Sequence, residues 1–487
     1  MRNCQYSVAL SAEIDSEITR RLIRRDREED LMFALWTPSY GKHRLTALIH
    51  TPIYPVDGDR QRHGNVSFNL QYFERVCNIA VANKCGIAFL HSHPGPGWQG
   101  MSRDDIKAER KMMGSVAALT DLPLVGMTVG SDGTWSARMW EHVSGKEFER
   151  KWCHTVRNAG RRLRVSFNDT LMPKPKFREM FRRTATVWGE ANHANLARLR
   201  IGIVGLGSVG SIVAESLARM GMKYIVLIDF DEVQRHNLDR LQTASRSDIG
   251  KLKVVVTKRR MRQIATADKI EIAEVPYSIA EEEGYRAALD CDVLFSCVDR
   301  PRARSILNHL AYAHLIPVID GGIDVRFKAN EFSGVDWQLQ TISPGRPCLD
   351  CLGAINTTDV DAEIAGKLDD PAYLSGLPSD HRFKRNENVF PFSENLASLE
   401  VLQFVALSTG IAGITDFGVQ RYRYIPGIVE TDTERNCRLD CEYVKLTGKG
   451  DHYFHLYGYD HAAAAARQRQ SNYVKRFYNI MVKLFSK

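Results

Sequence analysis

The sequence predicts an α/β protein of about three folding units, and three observations carry that reading. The length of 487 residues corresponds to about three domains at roughly 150 residues each. Residues 1–145 alternate strand-like and helix-like patterns. From Leu199 the order becomes strand, glycine turn, helix, strand: LRIGIVG, then SVGSIVAESLARMG, then YIVLID, the alternation of a mostly parallel sheet. A composition of 44% hydrophobic and 25% charged residues, with 35 Gly and 17 Pro, excludes a disordered, collagenous or miniature disulfide-stapled chain. No apolar run reaches about 18 residues, and the first 25 residues lack the continuous apolar stretch of a secretion signal. Ten cysteines in this length do not make a disulfide framework. The expectation is a reduced, cytoplasmic protein with no membrane contact.

Taken in order, Leu31–Trp36, Arg44–His50 and Gly86–Leu90 read as strands and Tyr72–Lys84 as a helix. Ser102-Arg-Asp-Asp105 ahead of IKAERKMM reads as a capped helix start, with Ser102 as the cap. Residues 150–183 are crowded with Lys and Arg and carry Pro173 and Pro175, which suggests a linker or adaptor. Val293–Ser296 and Pro317–Ile319 extend the parallel sheet, and 355–395 are polar and irregular. Ala462–Lys487 opens with five alanines and reads as a helix, with Val474, Phe477, Met481 and Leu484 on one face. The units expected are 1–145, a basic linker at 146–182, a nucleotide domain at 183–445 and a basic tail at 446–487.

The first chemical constellation is Leu90-His91-Ser92-His93-Pro94 after a strand, followed by Ser102-Arg103-Asp104-Asp105 at a helix start. Two His and one Asp, with a position left open, form the ligand set of a catalytic rather than a structural zinc. Glu29, or alternatively Glu28, is available as the base, and Ser102 can donate to a developing oxyanion. The pattern of an upstream Glu, H-x-H-P and S-x-x-D resembles the JAB/MPN (JAMM) metalloproteases over about residues 1–140. That resemblance implies an α+β, cytidine-deaminase-like fold and an isopeptidase that trims or removes ubiquitin-like proteins. The usual family spacing selects Asp104, whereas S-x-x-D selects Asp105. Asp105 is preferred because a helix is stiffer than a Gly/Pro-rich loop that can absorb one insertion.

The second constellation begins with Gly205, Gly207 and Gly210 between a strand and a helix, an arrangement that admits phosphate at the helix N-terminus. Alone, such a turn defaults to a dinucleotide-binding dehydrogenase. The residues downstream separate the two chemistries: Asp229 and Asp231 at the next strand end, Asn237, Arg240, Lys253, and Asp299 after Val293–Ser296. Hydride transfer does not need an Arg, a Lys and a further Asp around one phosphate cradle. Adenylyl transfer does, because a carboxylate must approach an α-phosphate and cations must offset the repulsion. The set resembles the ThiF/MoeB adenylating enzymes, relatives of ubiquitin-activating enzymes, over roughly 180–440. The resemblance implies a Rossmann-like domain, with ribose on Asp229 and ATP phosphates on Asn237, Arg240 and Lys253. It also implies magnesium on Asp299, and Arg183 reaching the γ-phosphate from a partner subunit of a homodimer.

Cys348 and Cys351, with Cys437 and Cys441, form two knuckles suited to a closed, structural zinc. ThiF-like proteins commonly carry one, although the second pair here is spaced by three residues. No cysteine lies between Leu352 and Asn436, and Cys291 and Cys297 read as core, so no thioester cysteine is evident. Together the two resemblances imply a bifunctional enzyme acting on the C-terminal tail of a ubiquitin-like protein, with a conjugating enzyme or acceptor protein as further partner. The alternatives are an activator of a sulfur-carrier protein for thiamine, molybdopterin or cysteine synthesis, and a non-catalytic scaffold or nucleic-acid binder. The net charge of +8 is uneven: residues 150–183 hold eleven Lys or Arg against two acids, and 466–487 hold six against none. The remainder is net acidic, which argues against a nucleic-acid-coating protein. Arg161, Arg162 and Arg164 are candidate contacts for an acidic partner.

Overall fold

Two β-sheets organise the computed structural model of the chain, which describes residues 4–62, 66–328, 331–377, 388–410, 413, 416–454, 456 and 458–471. The first sheet has nine strands, and its centre runs Gln5–Ser11, Arg44–Ile53, Leu31–Tyr40, Gly86–Ser92, Leu124–Val129. The segment LMFALW of Leu31–Tyr40 is apolar at six successive positions because both faces are covered there. Met32, Ala34 and Trp36 pack with Ile18 and Leu22 of the helix Ala12–Leu22. Leu31, Phe33 and Leu35 pack on the other face with Val76, Met112 and Val116, from the helices Leu70–Asn83 and Arg103–Thr120. The expected strands at 31, 44 and 86 are all present and run two to four residues further than expected. The expected helix at 72 begins at Leu70, where the Asn69 side chain accepts from Tyr72 N.

The second sheet has eight strands. Glu271–Val275, Tyr224–Ile228, Arg200–Val204, Val293–Ser296 and the start of Val318–Lys328 are parallel neighbours in that order. Glu331–Ile342, Val419–Arg423 and Ile428–Asp432 continue it antiparallel. One face is covered by Ser208–Arg219, Lys253–Ile264 and Phe390–Thr409, the other by Glu282–Leu289 and Pro301–Ala313. Among the described residues no helix is long and apolar enough to cross a membrane.

Three stretches differ from the sequence expectation. Residues 146–182, expected as a linker, contribute Glu147–Trp152, Thr155–Ala159 and Arg164–Phe167 to the first sheet. Their basic residues are partnered within the chain: Arg164 with Asp15, Arg161 with Asp416, and Arg162 with the Thr409 carbonyl. The Arg161 and Arg164 side chains are nonetheless 44% and 58% exposed. Residues 355–395 contain the helices Thr357–Ile364 and Pro371–Gly376 and the start of Phe390–Thr409. In the expected basic tail, 446–454 pack between the strand Leu31–Tyr40 and the helix Pro301–Ala313, with Gly448 N donating to Tyr312 O and Thr37 Oγ1 to Gly448 O. Residues 461–471 are helical, whereas Val474, Phe477, Met481 and Leu484 lie outside the described residues.

The two sheets meet around Asp292, which precedes the strand Val293–Ser296. Its Oδ1 accepts from Arg44 Nη2 at 2.8 Å and Arg157 Nη1 at 3.1 Å, both from the first sheet, and its Oδ2 accepts from Arg200 N at 2.9 Å. The side chains of Arg44, Arg157 and Asp292 are buried. Burial opposes ionisation of Asp292, but Arg44 and Arg157 outweigh it and hold the carboxyl below the usual carboxylate range. Beside this cluster Ala9, Leu48 and Ala159 pack against Leu315. Removing one member of a buried ion cluster strands the others, so Asp292→Ala is expected to lower unfolding free energy by about 3–5 kcal/mol, read by urea denaturation. A change below about 1 kcal/mol would show that this cluster does not hold the two sheets together.

Candidate functional sites

The first site is built where the strand Gly86–Ser92 ends. His91 lies on the strand and His93 just past it, while Leu31 is the cross-strand partner of His91. That pairing brings Glu29, two residues before Leu31, to the same edge. The helix Arg103–Thr120 supplies the third group. Its Ser102 cap accepts from Asp105 N at 3.1 Å, and Asp105 Oδ2 accepts from Ser102 N at 2.7 Å, a reciprocal box that fixes the carboxylate. His91 Nε2 lies 3.3 Å from Asp105 Oδ1, His93 Nε2 3.4 Å from Asp105 Oδ2, and Glu29 Oε1 3.9 Å from His93 Nε2. Asp104 and Glu28, the alternatives raised by the sequence, are exposed, and neither belongs to this cluster. Ser102 is exposed at the helix start beside it.

The electrostatics match the geometry. Burial holds the His91 imidazole below the usual histidine range, against the pull of Asp105. His93 is raised, chiefly by its hydrogen bond to Asp105. Burial opposes ionisation of Asp105, but the two imidazoles outweigh it and keep the carboxyl well below its usual range. Burial also pushes Glu29 up. The ligand atoms of His91, His93 and Asp105 lie within 4.8 Å of one another, and this N,N,O donor set suits a divalent ion with positions left open. A group the sequence reading missed stands against the same His91 nitrogen that faces Asp105. Thr128 Oγ1 lies 3.2 Å from His91 Nε2 and accepts from Arg138 Nη1 at 2.6 Å. Arg138 is in turn held by Glu109, and both are fully buried. The available signal was Arg138 itself, a charge at an inward position of the strand pattern WSARMW.

The second site lies at the C-terminal ends of the parallel strands. Gly205 has φ +87°, and a Cβ there would stand 2.4 Å from Cys297 O; a Cβ on Gly210 would stand 2.0 Å from Gly205 O. Only glycine permits this tight turn and close helix approach. Gly207, by contrast, has no described atom within 4 Å of a Cβ position, which leaves the turn open to a ligand. Asp229 braces the turn: its Oδ2 accepts from Leu206 N at 2.6 Å and its Oδ1 from Asp231 N at 2.7 Å. Burial pushes the Asp229 carboxyl up, with Lys253 opposing. Lys253 Nζ sits 2.8 Å from Asp231 Oδ2. Burial opposes its charge, but Asp229 and Asp231 outweigh that and hold the ammonium above the usual lysine range, with Asp299 adding to the effect. Asp299 is exposed three residues past the strand Val293–Ser296. Asn237 accepts from Gln234 N at 3.0 Å, and Arg240 donates to His236 O and Asp239 on the same loop. Arg183 is exposed on the helix Arg182–Trp188. The sequence reading also missed Asn388, whose amide donates to Ser208 Oγ at 2.9 Å at the start of the helix after the glycine turn.

The third cluster is Cys348, Cys351, Cys437 and Cys441, four free thiols whose sulfurs lie within 4.8 Å of one another. Backbone N–H groups of Cys348, Cys351 and Arg438 point at the sulfurs of Cys437, Cys348 and Cys351, at 3.2–3.3 Å. The Cys437 thiol is lowered, first by its hydrogen bond with Cys348, while that same bond and burial push the Cys348 thiol up. Such N–H···S contacts favour thiolates, so the set could hold a metal ion in a closed shell. The longer spacing between Cys437 and Cys441 does not keep them apart from the first pair.

Residues 181–415 match the family model described as "ThiF family". Among curated proteins, the chain is 32% identical over 151 residues to the tRNA threonylcarbamoyladenosine dehydratase of Escherichia coli, covering 30% of this chain and 54% of that one. It is 30% identical to the molybdopterin-synthase adenylyltransferase of the same organism, over 32% of this chain and 59% of that one. It is also 28% identical to ubiquitin-like modifier-activating enzyme 5 of Drosophila willistoni, over 31% of this chain and 38% of that one. Each of these relatives is matched over less than two thirds of its own length. The family match begins at residue 181 and so leaves the His91–His93–Asp105 cluster outside it. It contains the glycine turn, Asp229, Lys253 and Asp299, and on that basis residues 181–415 form a domain similar to the ThiF family.

Proposed function

We propose that the chain is a bifunctional enzyme acting on the C-terminal tail of a ubiquitin-like protein. The second sheet adenylates the tail carboxylate with ATP, and the first carries a zinc protease that trims the tail or releases conjugates. The observation that carries the reading is Lys253, buried between Asp229 and Asp231 with Asp299 in electrostatic reach, at the strand ends that also hold the open glycine turn. In this reading the turn and the N-terminus of Ser208–Arg219 take the phosphates, and Asp229 takes the ribose. Lys253 and Arg240 then offset the charge as a carboxylate oxygen bonds to the α-phosphorus and pyrophosphate leaves. Magnesium on Asp299 would supply further neutralisation when bound. Arg183 would act from a second subunit.

In the first sheet, His91, His93 and Asp105 would hold zinc, which when bound supplies Lewis acidity to water and to the scissile carbonyl. Glu29 would take the proton of the attacking water and deliver it to the leaving amine, while Ser102 donates toward the oxyanion. The four cysteines would hold a structural zinc. A second reading, activation of a sulfur-carrier protein, is favoured by 27% identity, over 34% of this chain, to the sulfur carrier protein ThiS adenylyltransferase of Bacillus subtilis. A requirement for a sulfurtransferase, with no acceptor lysine, would select it.

Asp299→Ala is expected to lower ATP–pyrophosphate exchange on the cognate partner by about 100-fold or more, and unchanged exchange would remove the adenylation reading. His91→Ala should abolish tail cleavage while leaving that exchange intact; cleavage that survives would remove the protease reading. Zinc analysis should find two ions per chain. His93→Ala should lose one with little loss of stability, and Cys437→Ser should lose the other together with several degrees of Tm. Wild-type protein purified without zinc would contradict both metal assignments.

A further inference from the structure

Residues 458–471 cross the same end of the second sheet as the glycine turn, although they lie beyond the matched span 181–415. The crossing starts beside Asp299. Arg302, three residues on and only 4% exposed, donates to the carbonyls of Tyr459 at 2.9 Å and Gly458 at 3.1 Å. Asp460 Oδ1 then accepts from Ala463 N at 3.0 Å and starts a helix over 461–471, which buries Ala462, Ala463 and Ala466. Further along, Arg467 pairs through both terminal nitrogens with Glu281, beyond the strand Glu271–Val275. Its guanidinium lies 6.0 Å from the centre of the Tyr277 ring. The crossing finishes at Gln470, whose amide donates at 3.3 Å to the carbonyl of Phe230, the residue between Asp229 and Asp231. The charge of Arg469 also acts on Glu232.

The path thus runs from the helix after Asp299, past the end of Glu271–Val275, to the ends of Tyr224–Ile228. With phosphates on the glycine turn and ribose on Asp229, the base projects past the ribose, away from the turn. The part of the segment that carries Arg467 and Gln470, held to Glu281 and Phe230, lies on that side. We infer that this segment is the base-side wall of the nucleotide pocket, with Arg467 and Gln470 as positioning residues that clamp it to Glu281 and Phe230. The inference rests on the nucleotide reading of the glycine turn. It adds that affinity for the adenosine half of ATP, but not for its phosphates, depends on a segment outside residues 181–415.

The test compares binding of ATP and of inorganic tripolyphosphate, each with magnesium, by calorimetry on the full chain. In Arg467→Glu/Gln470→Ala, ATP should bind at least tenfold more weakly while tripolyphosphate binding stays within twofold. Gln470→Ala alone, with an unchanged Tm, should weaken ATP severalfold and leave tripolyphosphate unaffected. ATP affinity unchanged in both variants, or an equal loss for both probes in the folded single variant, would overturn the inference. Failure of the wild-type chain to bind either probe would instead overturn the nucleotide reading, and this inference with it.

Discussion

The carboxylate of Asp292, shared between two buried arginines of one sheet and a strand-end amide of the other, sets the arrangement of everything else. A buried carboxylate is tolerated only when its lone pairs are taken up, so Arg44, Arg157 and Arg200 N are fixed relative to one another. The contact lies at the N-terminal ends of the parallel strands. The glycine turn, Asp229 and Asp299 therefore lie one strand length away, at the other end. In the first sheet, Tyr40 reaches the interface through its contacts with Asp451 and Arg286, whereas His91 pairs with Leu31 at the opposite end of that strand. Leu31 and Tyr40 are the two ends of a ten-residue strand, about 30 Å apart. Each candidate site thus sits at the far end of its sheet from the shared contact.

Both sites share one structural logic: strand ends deliver the groups, and a capped or glycine-started helix orients them. Asp105 gains its place from the reciprocal box with Ser102, and the second turn its shape from Gly205 and Gly210, where no Cβ fits. The carboxylates and the lysine are partly desolvated by that construction, which strengthens their mutual influence. The four cysteines use a third device, backbone N–H groups aimed at sulfur.

Much of this was legible in the sequence because the signals were local. The strands at 31, 44, 86 and 293 are apolar runs, and the S-x-x-D spacing is a capping pattern whose helical geometry favours Asp105 over Asp104. What the sequence did not reveal depends on partners far along the chain. The basic stretch 146–182 reads as solvated linker until Arg164 meets Asp15 and Arg161 meets Asp416, 149 and 255 residues away. Thr128, Arg138 and Glu109 form one chain of contacts to His91, yet no local periodicity joins a helix residue to two neighbouring strands. Gln470 reaches Phe230 across 240 residues, and composition alone presents that segment as a basic tail.

The most direct test of two sites acting on one tail is mass spectrometry of small proteins encoded beside the gene, incubated with the wild-type chain, ATP and magnesium. One partner should lose residues beyond a glycine and then gain the mass of AMP on the trimmed form alone. AMP added to the untrimmed form, or no change of mass while ATP is consumed, would contradict a bifunctional enzyme of this kind.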